Sequence, residues 1–348
     1  MTATSLANIF GQDRAITWLR QAYLADRLPH GLLFAGPVGV GKATTARALA
    51  NLFLCESPRK DEACGKCESC RVFAAGNHPD FHVITKELIR YHDKTGKSKG
   101  IELSIHVLRP ELIEPAGRKA VMGRGKTFVI EQAELMNPQA QNALLKTLEE
   151  PAGRTLLVLL TDQVNALLAT IRSRCQTVRF GALDVERVRK ELVRRGIDAE
   201  LASDAAELSR GSLGMALKWI EDGVIVPARA LLGQIDGLFA GTSPDDLPGF
   251  FKNAAEAYAQ KQLERDELAS KDQATREGLT LYLLLAGEHI RRRFVEEADP
   301  RELETACAAI DALAQAESYL DSNVNTSLVF QQLTVKLESR ASRVPSET

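Results

Sequence analysis

Gly31-Leu32-Leu33-Phe34-Ala35-Gly36-Pro37-Val38-Gly39-Val40-Gly41-Lys42 is the stretch that decides the fold of this chain. Its first five residues form a short apolar run that reads as a buried strand entering a loop. After Lys42, the apolar residues Ala46, Leu49, Ala50 and Phe53 recur at helical spacing. A glycine-rich loop between a strand and a helix is the setting in which backbone amides cradle phosphate. Gly36, Gly39 and Gly41, with Pro37 in the same turn, allow close approach of N–H groups to phosphate oxygens. The helix start adds a favourable dipole, and Lys42 reaches the outer phosphates. A glycine-rich turn with a chance lysine is the bland alternative, and it does not account for both flanking elements.

One position departs from that chemistry. A Ser or Thr after the lysine holds Mg2+, and Ala43 stands there, followed by Thr44 and Thr45. Neighbouring residues on a helix point about 100° apart, so Thr44 is a poor replacement. The backbone and Lys42 leave phosphate and ATP binding open to the loop, and Mg2+ placement is expected to suffer.

Moving outward, Phe81 to Ile84, Thr127 to Ile130, Leu156 to Leu160 and Thr177 to Phe180 read as further short strands. Asn137 to Glu150 carries Ala140, Ala143, Leu144 and Leu148 on one face and is stopped by Pro151, so it reads as a helix. Strands alternating with helices predict an α/β fold with a parallel sheet covered on both faces. Lys94 to Gly100 is polar and reads as a loop, and Gly123-Arg124-Gly125-Lys126 as a basic turn. After Gly181 the strand signals end. Val185 to Arg195 and Ala199 to Ser209 read as short helices, and Glu277 to Phe294 and Glu302 to Leu320 as long ones. The expected organisation is an α/β domain over 1–180, a small helical domain over 181–222 and a larger helical domain over 223–348.

The strand Thr127-Phe128-Val129-Ile130 ends in Glu131 and then Gln132. Active phosphate-loop ATPases place an aspartate at such a strand end to organise Mg2+. Glu131 keeps a carboxylate but is one methylene longer, and Gln132 cannot accept a proton as a general base. Capping of an exposed strand end is the alternative role for Glu131. Ala43, Glu131 and Gln132 all fall on hydrolysis machinery, which predicts weak or absent catalysis.

Cys55, Cys64, Cys67 and Cys70 lie within sixteen residues. Four thiolates suit tetrahedral Zn2+, and a closed set of four ligands is the structural kind. An iron–sulfur cluster is the rival. The ferredoxin-type run needs another cysteine three residues after Cys70, then proline, and Arg71-Val72-Phe73-Ala74 supplies neither. Cys175 and Cys307 stand alone. The chain has 348 residues, is 45% hydrophobic and 26% charged, and has a formal net charge of -2. Such a balance excludes a chain that binds nucleic acid through overall charge, so DNA contact needs a local patch or assembly with other chains. No secretion signal or membrane-spanning run is evident, so a cytoplasmic location is expected.

These landmarks resemble the AAA+ clamp loaders and, within them, the delta-prime family of bacterial DNA polymerase III. The resemblance rests on Gly11-Gln12, Leu28-Pro29-His30-Gly31, Asn77-His78-Pro79-Asp80, Ala143-Leu144-Leu145-Lys146-Thr147-Leu148-Glu149-Glu150-Pro151 and Thr170-Ile171-Arg172-Ser173-Arg174-Cys175-Gln176. It runs over most of residues 6 to 222 and returns near Asn323-Val324-Asn325, Leu328 and Leu333. It implies an AAA+ domain carrying the zinc module at 55–70, a helical lid and a helical oligomerisation collar. Arg174 is implied to be an arginine finger reaching a neighbouring subunit's ATP, against the bland reading of a surface ion pair. Thr161 is implied to sense the γ-phosphate. Gly214, in Gly211-Ser212-Leu213-Gly214, stands where ATP-hydrolysing members have arginine.

The resemblance also implies the partners: gamma/tau-like and delta-like clamp-loader subunits, with primed DNA and the sliding clamp reached through the assembled complex. A gamma/tau-like ATPase subunit is the second reading, and a zinc-bearing DNA-binding module the third. Arg291-Arg292-Arg293 reads as a solvated helix face or subunit contact.

Overall fold

The computed structural model describes residues 5–92, 102–122, 124–242, 246–265, 270–295, 300–322 and 325–341. The expected loop at 94–100 lies outside them, as do Gly123, Asn323 and Val324. The chain divides into two compact units, one of residues 1–188 with 210–215, the other of 189–209 with 216–348.

The first unit is built on five parallel strands: β1 (Gly31–Ala35), β2 (Phe81–Ile84), β3 (Lys126–Ile130), β4 (Thr155–Thr161) and β5 (Gln176–Arg179). Their spatial order is β2-β3-β4-β1-β5. The register sets Leu33 beside Leu159 on one side and Thr177 on the other, so β1 is interior. The near-continuous apolar runs of β1 and β4 follow from burial on both faces. Leu32, Phe34, Leu156, Val158 and Leu160 enter one hydrophobic cluster, and Leu33, Leu157 and Leu159 enter the other. The helices α1 (Asp13–Leu24) and α2 (Lys42–Leu54) supply Leu19 and Leu49 to the first cluster. After α3 (Glu68–Ala74), α4 (Pro138–Glu149) supplies Ala140, Leu144 and Leu148 to the second.

The α4 helix starts where its sequence requires. Asn137 caps it by accepting a hydrogen bond from the Ala140 N–H at 2.9 Å, and Pro138 follows in the first turn. Such a cap contributes about 1 kcal/mol. The α/β expectation is borne out, with strand ends moved by a residue. The basic turn ending at Lys126 needs correction. Lys126 opens β3 and is buried, and its ammonium donates to the Ala116 and Arg118 carbonyls.

The second unit is helical: α5 (Val185–Arg194, its last residues), α6 (Ala199–Leu208), α7 (Leu213–Glu221, from Ala216), α8 (Ile225–Phe239), α9 (Leu247–Arg265), α10 (Lys271–Val295), α11 (Pro300–Asp321) and α12 (Thr326–Ala341). Phe251 of α9 and Phe330 of α12 stack with ring centroids 4.5 Å apart, and Phe250 of α9 meets buried Tyr282 of α10 edge-on at 6.3 Å. Arg291, Arg292 and Arg293 are exposed, and Arg293 pairs with Asp236. Among the described residues no helix is long and apolar enough to cross a membrane.

Candidate functional site

The loop between β1 and α2 has the backbone its glycines permit. Gly39 lies at φ +74 and Gly41 at φ +102, in the left-handed region that side chains avoid. Gly41 is the residue from which α2 starts. A Cβ on Gly36 would lie 2.1 Å from the Phe180 carbonyl oxygen. Lys42 is 9% exposed, and its ammonium folds back to donate to the Gly36 and Pro37 carbonyls at 2.5 and 2.6 Å. Burial pulls its pKa below the usual lysine value, with Asp162 and Glu134 acting in the opposite sense.

The hydroxyls after Lys42 do not replace a serine at position 43. Ala43 is half-buried against the α2 core, and Thr44 is exposed. Thr45 is fully buried, its Oγ1 donating to the Gly41 carbonyl at 2.8 Å.

The loop is latched by residues distant in sequence. Ser212 Oγ donates to the Val38 carbonyl at 2.8 Å, and the Gly214 N–H donates to the Gly39 carbonyl at 2.9 Å. Gln12 Nε2 donates to Val40 O at 3.1 Å and to Gly181 O at 2.8 Å. A Cβ on Gly214 would clash with the Gly39 backbone, and a Cβ on Gly39 with Ser212 Oγ and the Met215 backbone nitrogen.

The strand ends carry the acidic groups. Glu131 is half-buried at the end of β3, and burial raises its pKa, with Glu87 adding to the effect and Arg47 opposing it. It is therefore no exposed cap. Gln132 is exposed at φ 50. Thr161 is buried at the end of β4, its Oγ1 accepting from the Gln163 N–H at 3.0 Å. Glu134 and Asp162 were not anticipated from the sequence, although each lies within three residues of an expected site residue. One oxygen of Glu134, Oε2, is buried without a hydrogen-bond partner among the described residues. Burial raises the pKa of this carboxyl, partly offset by a hydrogen bond from Thr161.

Arg174 lies elsewhere. Its backbone is beside Gly31, the first residue of β1: a Cβ built there meets Arg174 O at 3.1 Å. The phosphate loop leaves from the last residue, Ala35. Four steps along a strand span roughly 13 Å. Arg174 therefore sits at the opposite sheet edge from Lys42. Its Nε donates to Glu149 Oε1 at 2.7 Å, and its Nη1 to the Thr170 carbonyl at 3.1 Å. The side chain remains 36% exposed.

The four cysteines converge after α2. Their sulfurs all lie within 4.8 Å of one another. Cys55 and Cys67 are 3.9 Å apart, and Cys64 and Cys70 4.0 Å. Four sulfurs tetrahedrally bound at about 2.3 Å to one Zn2+ stand roughly 3.8 Å apart, so the set fits. The knuckle turns at Gly65, φ +68. The Lys66 and Cys67 N–H groups donate to Cys64 Sγ and draw its pKa down to about 6. Burial pushes the Cys55 and Cys70 thiols up. The module is tied down by Arg20 on Asp61, and by Ser69, whose Oγ donates to Leu54 O at 2.9 Å and lies 3.0 Å from His78 Nε2. This cluster can hold a metal.

Comparison with known proteins bears on the family. Over 170 residues the chain is 38% identical to DNA polymerase III subunit delta' of Pseudomonas aeruginosa, covering 49% of this chain and 48% of that one. It is 35% identical over 211 residues to the Escherichia coli subunit of the same name, covering 58% and 59%. Against Escherichia coli subunit tau it is 30% identical over 248 residues, covering 70% of this chain and 36% of tau. The matched region thus spans about half of the delta' relatives' length. Residues 11–184, half of the chain, match the family model described as DNA polymerase III, delta subunit, and the chain belongs to that family.

Proposed function

We propose that this chain is a delta-prime-like subunit of a clamp loader, helping to load the sliding clamp on primed DNA while contributing little ATP hydrolysis of its own. The observation that carries the reading is the separation of two functions across one sheet. The phosphate loop at one edge lacks the Mg2+-holding hydroxyl at Ala43. Arg174, exposed at the other edge and paired with Glu149, is out of reach of its own loop and would leave that pair to face another subunit's nucleotide. There it would stabilise charge developing on the γ-phosphate. Gly36, Pro37, Gly39, Gly41, Lys42, Ala43 and Thr44 would surround any ATP bound by this chain. Glu131 and Thr161 would lie nearest its terminal phosphate.

In this reading Cys55, Cys64, Cys67 and Cys70 hold a structural Zn2+. Residues 181–222 act as the lid and 223–348 as the collar that joins gamma/tau-like and delta-like subunits. The setting is cytoplasmic. The test is reconstitution with ATP-hydrolysing partner subunits. Arg174→Ala should lower DNA-stimulated ATP turnover of the complex while leaving assembly intact; loss of assembly instead would assign Arg174 a structural role.

A gamma/tau-like ATPase is the second reading, favoured by the tau match extending over more of the chain than the delta' matches. Gly214 speaks against it, because the loop backbone occupies the space a side chain there would need.

A further inference from the structure

Away from the phosphate loop, the first unit has a cleft of about 400 Å3 lined by Gly117, Arg118, Lys119, Lys126, Gly153 and Arg154, with Ala120, Gly125 and Ala152 completing the wall. Ligand clefts run from roughly 300 to 1,000 Å3, so this one suits a small group. Its lining contains four basic side chains and no acidic one. Such a concentration of like charge is unfavourable unless an anion shares it.

The basic walls are held by bonds that do not neutralise them. Arg154 stacks on Phe53, its guanidinium carbon 4.0 Å from the ring centroid, and its Nη1 donates to the Phe53 and Arg124 carbonyls at 3.0 Å each. Arg124 is brought close by that bond, and its Nε is buried without a hydrogen-bond partner among the described residues. Burial first, and then Arg124, lowers the pKa of Arg154, with Tyr23 and Asp26 opposing. The segment 116–122, which supplies one wall of the cleft, is pinned at both ends. Lys126 grips the Ala116 and Arg118 carbonyls, and the Asp80 carboxylate accepts the Val121 and Met122 N–H groups at 2.7 and 2.8 Å. Asp80 and Asp26 are the acids whose fields reach these cations, and Glu114 meets Arg118 at 3.7 Å in an exposed pair of little worth. Gly117 and Gly153 leave the lips open, with nothing within 4 Å of a Cβ at either.

We propose that this cleft is a second phosphate-binding site, with Arg118 and Lys119 as the accessible cations and Arg154 as the rigid planar donor behind them. The ligand chemistry is a phosphate oxyanion, supplied either by a nucleic-acid backbone or by a free phosphate such as pyrophosphate. The site stands whether or not the loop at Lys42 takes nucleotide.

The test uses the full chain carrying Lys42→Ala, which removes the loop at Lys42 from the readout. In that background, primed DNA binding is measured by fluorescence anisotropy across salt concentrations, and pyrophosphate binding by calorimetry. Arg118→Gln with Lys119→Gln, both exposed and away from the core, should weaken DNA binding about tenfold or more at low salt. It should also reduce the slope of log K against log salt by roughly 1.8, two phosphate contacts at about 0.9 each. Alternatively the same pair should abolish pyrophosphate binding while leaving DNA binding unchanged, which would identify a free anion as the occupant. Parent-like binding of both ligands by the double variant, or binding of neither by its parent, would overturn the proposal.

Discussion

The N–H of Gly214 donates to the carbonyl of Gly39 at 2.9 Å, and a Cβ on Gly214 would stand 2.6 Å from that same oxygen. The start of α7 is thus fastened to the phosphate loop through backbone alone.

Replacing Gly214 should therefore disturb the loop and confer no activity. Gly214→Ala is expected to lower stability by about 1 to 3 kcal/mol, as overpacking against fixed backbone does. Gly117→Ala, with open space around it, is the matched control. Urea unfolding of both variants measures the difference. Equal stabilities would show that the latch is loose.

Restoring a hydroxyl at the helix start should act on metal placement before it acts on turnover. Ala43→Thr is expected to make nucleotide binding tighter with Mg2+ than without it, read by calorimetry in both conditions. Gln132 still offers no general base, so turnover should stay near background. Identical affinities with and without Mg2+ in the variant would place position 43 away from the metal.

The cysteine cluster should contain about one zinc per chain by elemental analysis. An absorption band near 400 nm, roughly where iron–sulfur clusters absorb, would replace zinc with the rival. Cys64→Ser should lose the metal and loosen the segment between Cys55 and Cys70, seen as faster proteolysis there. Because the thiolates must be free of protons to bind metal, chelator-driven loss should quicken as pH falls.

Much of this was legible in the sequence, for identifiable reasons. The inner strands β1, β3 and β4 showed as apolar runs because they are buried on both faces, whereas β5 is largely exposed, and the apolar face of Asn137 to Glu150 with Pro151 after it marked α4. The cysteine spacing announced its own cluster. The role of Lys126 was not legible: a lysine beside two glycines and an arginine reads as a surface turn, and only the carbonyls of Ala116 and Arg118 explain its burial. Glu134 was missed because it carries no motif of its own; the fold sets it near Thr161. The separation of Arg174 from Lys42 was equally hidden, since it depends on which end of β1 each one adjoins.

In the helical unit, Glu191 accepts from Arg194 Nε at 2.7 Å and from Arg195 Nε at 2.8 Å. Arg194 is the main cause that holds its pKa at about 2, below the ordinary 4.5. A depressed carboxylate contributes stability that is present above the unfolded value and is lost as pH falls through the folded one. Glu191→Gln should therefore be less stable than the parent at neutral pH, and the gap should close between about pH 4.5 and about pH 2. Thermal melts across that range provide the check. A gap independent of pH would mean that packing, and not charge, holds this residue.

The most direct test of the central claim is steady-state ATP turnover by the purified chain alone, with Mg2+ and primed DNA present. A loop without its metal-holding hydroxyl, and an arginine aimed away from it, predict turnover at background. Rapid, saturable hydrolysis by the lone chain, abolished by Lys42→Ala, would contradict the account.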